Sequence, residues 1–158
     1  EFSETLFGLK EKEVPFKLVV LGEQNDVNPP IFDEAKEKLE DEILHWGYAD
    51  SFDDYAKWLW RADILPVTSN QDFFGGSVIE AMYCDCFPLF PNRLAYPEHL
   101  PEELDREFLY EEGELPARLE TAIESVMGIR QVDYQSIVKK YDWKELIGKY
   151  DEKMEKLY

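Results

Sequence analysis

Basic residues are scarce in this chain. Its 158 residues include 17 Lys and Arg against 35 Asp and Glu, a formal net charge of −18 at pH 7. Such a surface repels phosphate backbones, whose binding draws on the opposite sign. The domain by itself is therefore unsuited to gripping RNA or DNA, and its acids read most simply as solubilising surface. Cysteine and histidine are scarcer still, at two each. Cys84 and Cys86 stand too close in sequence for an unstrained disulfide. With only His45 and His99 elsewhere, no zinc-ligand spacing appears and no metal is expected. Reduced, buried thiols and a cytoplasmic location are the expectation. No apolar run nears the roughly 20 residues of a membrane span, and no signal-peptide pattern opens the chain. It starts at Glu1-Phe2-Ser3 without a methionine, which reads as a fragment of a larger protein.

What is present is the material of a folded domain: 44% hydrophobic and 15% aromatic residues in a length suited to one core. Short apolar runs alternate with amphipathic stretches. FKLVVLG (16–22), LHWGYA (44–49), DILPVTS (63–69), CFPLFP (86–91) and EFLYEE (107–112) read as strands. Pro66 is a mild objection within its run, because proline removes a ladder donor. Residues 2–12, PPIFDEAKEKLEDEIL (29–44), FDDYAKWLWRA (52–62), a segment from near Phe74, and ELPARLETAIESVMG (114–128) read as helices. Proline opens the second of these, Ser51 with Asp54 resembles a capping box for the third, and Gly128 is expected to stop the last. The alternation predicts an α/β fold, a Rossmann-like three-layer sandwich with a parallel sheet, over 1–128. Residues 129–158 form a separate tail. Tyr134, Ile137, Val138 and Tyr141 share one helical face; Trp143, Leu146, Ile147, Tyr150 and Met154 share another after a restart capped by Asp142. These amphipathic helices are expected to pack on the domain or on a missing N-terminal one.

Ligands of such sheets bind beyond the carboxyl ends of the strands. NQDFFGGSVIEAMYCDC (70–86) lies at such an end. A helix starting near Phe74–Gly76 leaves its first amides unpaired and its positive dipole end open, and the glycines let a diphosphate approach. Glu80 lies one turn beyond Gly76 and Ser77 and one turn before Cys84, on a face of small residues. There a carboxylate can accept two hydrogen bonds from the vicinal hydroxyls of a ribose. Asp72, in the loop before, reaches toward a sugar beyond the phosphates. The plain alternatives are a loop-capping acid for Asp72 and a solvated helix residue for Glu80.

ADILPVTS, DFFGGSVIEAM and CFPLF, in that order, resemble the donor-binding half of retaining glycosyltransferases with two Rossmann-like domains, the GT-B architecture of family 4. Their motif is Glu, seven residues, Glu, with a Phe-Gly pair between and Ala-Met after. Asp72 stands in the first place, Phe74-Gly75 as the pair, and Glu80-Ala81-Met82 at the end. Gly22 of LVVLGE and Gly47 of WGY resemble the family's earlier strand-end glycines. More narrowly, HWGYADSFDDYAKWLWRADI and FFGGSVIEAMYCDCFPLFPNRLAYPEHLP resemble the tRNA-queuosine α-mannosyltransferases and their bacterial relatives, over residues 16 to about 101.

The resemblance implies a nucleotide-sugar site with no tightly bound cofactor. Glu80 would hold the ribose and Asp72 the donor sugar, while Gly22, Gly47, Phe74, Gly75, Gly76 and Ser77 would surround the nucleotide. GDP-mannose is the donor it suggests, transferred with retained configuration, with fixed donors rather than a metal stabilising the leaving diphosphate. Queuosine in tRNA would be the acceptor, met only through the missing N-terminal domain. The chain departs from the pattern at Asp72, one methylene shorter than Glu, and at Asp85, where the relatives have glycine. The family's diphosphate Arg and Lys are expected on a segment ahead of residue 1, so this piece alone is expected to bind without turnover. The competing function is a non-catalytic, flavodoxin-like interaction domain. A phospho-acceptor receiver domain fits VLGEQND and PVTSNQD poorly.

Overall fold

A computed structural model describes residues 1–22, 29–101 and 104–156. The strands form where the apolar runs lie: β1 (Leu18–Leu21), β2 (Ile43–Gly47), β3 (Ile64–Pro66), β4 (Phe87–Pro91) and β5 (Leu109–Tyr110). Every pairing among them is parallel, with β1 beside β2 and, separately, the order β3-β4-β5. The connections are α1 (Phe2–Glu11) before the first strand, then α2 (Pro30–Lys38), α3 (Phe52–Arg61), α4 (Gly76–Tyr83), two single turns α5 (Tyr96–His99) and α6 (Asp105–Phe108), and α7 (Leu115–Glu124). Helix α1 contacts both α2 and α7, and α4 contacts both α3 and α9 (Tyr134–Val138), which makes two helical groups around the strands. This is a Rossmann-like α/β arrangement followed by C-terminal helices.

Proline explains why the sheet is cut. The amide of Val67 donates to Leu89 and Asp63 accepts from Phe87, so odd residues of β3 face β4. Pro66 therefore turns its missing N–H toward the opposite edge, where no strand pairs with it among the described residues. In β4, Phe87 and Leu89 face β3, so Pro88 faces β5. Pairing with β5 begins only past it, at Phe90 with Leu109.

Three expectations need adjustment. The second helix ends at Lys38, six residues earlier than its periodicity suggests, because Leu39 turns fully inward and residues 39–42 form a turn into β2. EFLYEE supplies only Leu109–Tyr110 to the sheet, its first part belonging to α6. Gly128 does not stop a helix: α7 ends at Glu124, and the glycine lies within the next turn, α8 (Val126–Ile129). The caps stand as read. The Asp54 amide donates to Ser51 Oγ at 3.1 Å, and Asp142 accepts from the Lys144 amide at 2.9 Å to start α10 (Trp143–Glu155).

The main core joins both helical groups through Leu9, Leu39, Met82, Phe90, Phe108 and Tyr134. A smaller one gathers Leu59 of α3 with Ala81, Cys84 and Cys86. Both cysteines are free and buried, behaving as small hydrophobes. Burial pushes the Cys86 thiol up to about 12, so it stays protonated at neutral pH. Asp85, between them, adopts the left-handed region at φ 59°, a conformation that favours glycine. Its carboxylate repays part of that cost by accepting from the Gln135 amide at 3.1 Å, which ties the end of α4 to α9.

Candidate functional site

The parallel strands β1 and β2 end side by side, and the loops that follow them and β3 carry the candidate residues. After β3 the chain turns at Gly75, which sits at φ 75° and caps α4. A methyl group placed there would meet Tyr96, His99 and Val78 at 3.5–3.7 Å, ordinary contact. The dihedral, not the space, is what asks for glycine.

Asp72 holds this turn. Its Oδ1 accepts from the amides of Gly75 at 2.8 Å and Phe74 at 3.1 Å, and its Oδ2 from the Tyr96 hydroxyl at 3.2 Å. Burial pushes its carboxyl up, but the donated hydrogen bonds outweigh that and the net shift is downward. Tyr96 is itself buried and stacked on Phe90 at 5.3 Å, so the anchor reaches the central strand. Gly76 and Ser77, the first two residues of α4, are exposed and have no backbone partner for their amides among the described residues. They are the open end of the helix.

A second support comes from the tail. Phe74 meets His99 and Tyr141 edge-on at 5.5 and 5.3 Å, and Tyr141 meets His99 at 5.5 Å. His99 Nδ1 bonds the Tyr141 hydroxyl at 2.9 Å. Its Nε2 is buried and has no hydrogen-bond partner among the described residues. Burial lowers the His99 pKa, with Lys140 adding to the effect, so the ring is neutral at physiological pH.

Glu80 stands on the exposed side of α4, away from Ala81 and Met82, which are fully buried. The hydroxyl of Tyr55, on α3, donates to Glu80 Oε2 at 2.8 Å. Tyr55 is also one wall of an open cleft of about 520 Å³, lined further by Leu21, Gly22, Tyr48, Ala49, Asp50, Ser51 and Phe52. Gly22 and Gly47 join where β1 and β2 end, the Gly22 amide donating to the Gly47 carbonyl at 3.1 Å. Burial first, then the bond to Glu80, raises the Tyr55 pKa, which keeps it a donor.

The residues expected from sequence thus fall into two places. Asp72, Phe74, Gly75, Gly76 and Ser77 form the turn at the start of α4, and Gly22 forms part of the cleft. Glu80, on the helix that this turn opens, is bonded to Tyr55 of the cleft wall. Sequence reasoning passed over Tyr55, Phe52, Asp50, Tyr96, His99 and Tyr141. Tyr55 follows Phe52 by one helical turn, which marks a shared face, but no local signal announces a bond to another helix.

A parallel α/β domain with an open helix N-terminus, a nearby carboxylate and an aromatic cleft at its strand ends has the parts of a nucleotide-binding Rossmann-like domain. Residues 2–128 match the family model described as "Glycosyl transferases group 1", and the chain belongs to that family. It is 37% identical over 100 residues to the tRNA-queuosine alpha-mannosyltransferase of Drosophila melanogaster, a match covering 63% of this chain and 26% of that protein. The chain thus spans about a quarter of the length of this curated relative. Its fold is similar to Anabaena HepE, solved in complex with UDP, with a TM-score of 0.67 and 17% identity, covering 98% of this chain and 43% of that one. It is also similar to the C-terminal domain of LpcC, a glycosyl transferase group 1 family protein from Francisella tularensis, with a TM-score of 0.66 and 21% identity over 94% of this chain and 77% of that one.

Proposed function

We propose that this chain is the nucleotide-sugar-binding domain of a retaining glycosyltransferase that transfers mannose from GDP-mannose. The carrying observation is the setting of Glu80: it lies one turn beyond Gly76 and Ser77, whose amides have no backbone partner among the described residues, and its carboxylate accepts at 2.8 Å from Tyr55, a wall of the aromatic cleft. In this reading the base enters the cleft against Tyr48 and Phe52, the ribose hydroxyls meet Glu80, and the diphosphate lies over the start of α4, favoured by the helix dipole. Asp72 serves first as the cap that shapes this turn. It reaches the donor sugar through Oδ2 when Tyr96 yields that oxygen.

The choice of GDP-mannose is supported by the likeness to the Drosophila mannosyltransferase and by the cleft's own chemistry. Asp50 is the charged residue among those lining it. A carboxylate only accepts hydrogen bonds; guanine offers it two adjacent N–H groups, whereas uracil offers one flanked by carbonyls. The same likeness makes queuosine in tRNA the acceptor of the full-length protein, a cytoplasmic enzyme in this reading. Among the described residues no helix is long and apolar enough to cross a membrane. The acidic charge leaves tRNA contact to another part of that protein. Residues 129–158 divide their work: α9 packs on this domain, and the exposed face of α10 docks on that other part.

The test is an amide NMR titration of the chain with GDP-mannose, GDP and UDP-glucose. Saturable shifts centred on Gly76, Ser77 and Glu80, larger for the guanine ligands and lost in Glu80→Gln, are expected. Preference for UDP-glucose overturns the mannosyl donor and keeps the glycosyltransferase. No saturable binding of any nucleotide overturns the donor site.

A further inference from the structure

We propose that Tyr55 is a positioning residue that couples the base cleft to the ribose carboxylate, so that base and ribose are recognised as one unit. The proposal rests on the donor-site reading above and adds to it a residue the family motif does not contain. Glu80 is an exposed side chain, and free in water it would spread over several rotamers. Here Oε2 is taken by the Tyr55 hydroxyl at 2.8 Å, while no hydrogen bond reaches Oε1 among the described residues. One oxygen is anchored and the other is presented. Hydrogen bonds to an ionised carboxylate are the stronger kind, so the anchor is worth having.

The anchor has a fixed root. Tyr55 packs against the small core of Leu59, Ala81, Cys84 and Cys86, whose last three members flank Glu80 on its own segment. Its α3 backbone is set by the Ser51 cap. Its ring stands 6.2 Å from that of Phe52, tilted at 44°, and both line the cleft. A base pressed against this wall therefore bears on the residue that aims Glu80. Occupancy of the cleft restrains Tyr55, and a restrained Tyr55 keeps Oε1 on the diol. The reverse holds as well: ribose bound at Oε1 fixes Glu80, which fixes the wall the base lies on.

The experiment is a double-mutant cycle read by equilibrium binding of GDP and of 2′,3′-dideoxy-GDP to the chain, its Tyr55→Phe and Glu80→Gln variants, and the double variant. Tyr55→Phe keeps the ring and its packing, and an unchanged melting temperature checks that it does. We expect Tyr55→Phe to weaken GDP by about tenfold while changing the dideoxy ligand by less than twofold. We expect the double variant to bind GDP as Glu80→Gln alone does. Equal losses for the two ligands would assign Tyr55 to the cleft wall only and overturn the coupling. So would full additivity with Glu80→Gln, or no loss at all. If the unaltered chain binds GDP and its dideoxy form alike and Glu80→Gln changes neither, the donor-site reading itself fails and the coupling with it.

Discussion

In the proposed donor site the turn at the start of α4 and the rim of the cleft would serve one ligand, and they are built in opposite ways. The turn is over-determined: Asp72 accepts three hydrogen bonds, Tyr96 and His99 behind it are 1% exposed, and Tyr141 braces both His99 and Phe74. The rim is left open, with Tyr48 73% and Phe52 74% exposed. Diphosphate recognition depends on amides aimed at fixed points, which only a rigid turn supplies. Stacking on a base tolerates sliding, so it asks for aromatic area rather than rigidity. Substitutions at the turn should therefore cost stability and binding together, whereas substitutions at the rim should cost binding alone.

The largest effect is expected at Asp72. Asp72→Ala removes the partner of two amides and of a buried hydroxyl, and hydrogen bonds to a charged group are worth about 2 kcal/mol in such a cap. Urea unfolding should show a loss of about that size, with donor binding lost in parallel. A loss below about 0.5 kcal/mol, the range of ordinary surface changes, would break the contrast. Gly75→Ala comes next. The added methyl fits, so the cost is the left-handed dihedral alone, about 1–2 kcal/mol. Gly75→Asn should recover part of it, because Asn tolerates that region.

Acid offers a third probe of the same turn. His99 in the folded chain has a pKa below its ordinary value, so the unfolded chain takes up that proton first. Its contribution is complete above the unfolded pKa of about 6.5 and is lost as pH falls toward the folded value. Asp72 also titrates low when folded, and its contribution fades only at lower pH, below about 4. The two windows do not overlap at their upper ends, so a decline in stability that begins as pH falls below about 6.5 reports His99. Tyr141→Phe should cost about 1 kcal/mol, the scale of one hydrogen bond whose buried partner is left unpaired. A stability flat over that pH range would show that the His99 brace is not part of the turn's rigidity.

Much of this was legible beforehand. Strand positions followed from short apolar runs, helix starts from Ser51, Asp142 and Pro30, and the glycine turn from Gly75-Gly76 next to a helical pattern. Two things were not, for a common reason. The tail shows two apolar stripes of the same period, yet α9 buries Tyr134 and Val138 while α10 buries nothing and exposes Trp143, Ile147 and Tyr150. Period reveals a face but not whether another surface covers it. Likewise Asp72 and Glu80 were recognisable as a spaced pair, but their partners, Tyr96 and Tyr55, lie 24 and 25 residues away in sequence. Those meetings are decided by how α3, α4 and α5 pack, which no local pattern records.

The smallest effect on stability is expected at the rim, and it sharpens the contrast most. Phe52→Ala removes a ring that is 74% exposed and leaves the Ser51 cap and the Tyr55 bond to Glu80 in place. Unfolding free energy should change by no more than about 0.5 kcal/mol, as at other exposed positions. Nucleotide affinity should fall about fivefold to tenfold, the worth of one aromatic contact to a base. Inorganic pyrophosphate, which has no base, should be bound as before. A Phe52→Ala variant that loses pyrophosphate too would mean that the cleft and the turn are not separate halves of the site. A variant that loses neither would place the base elsewhere than against Phe52.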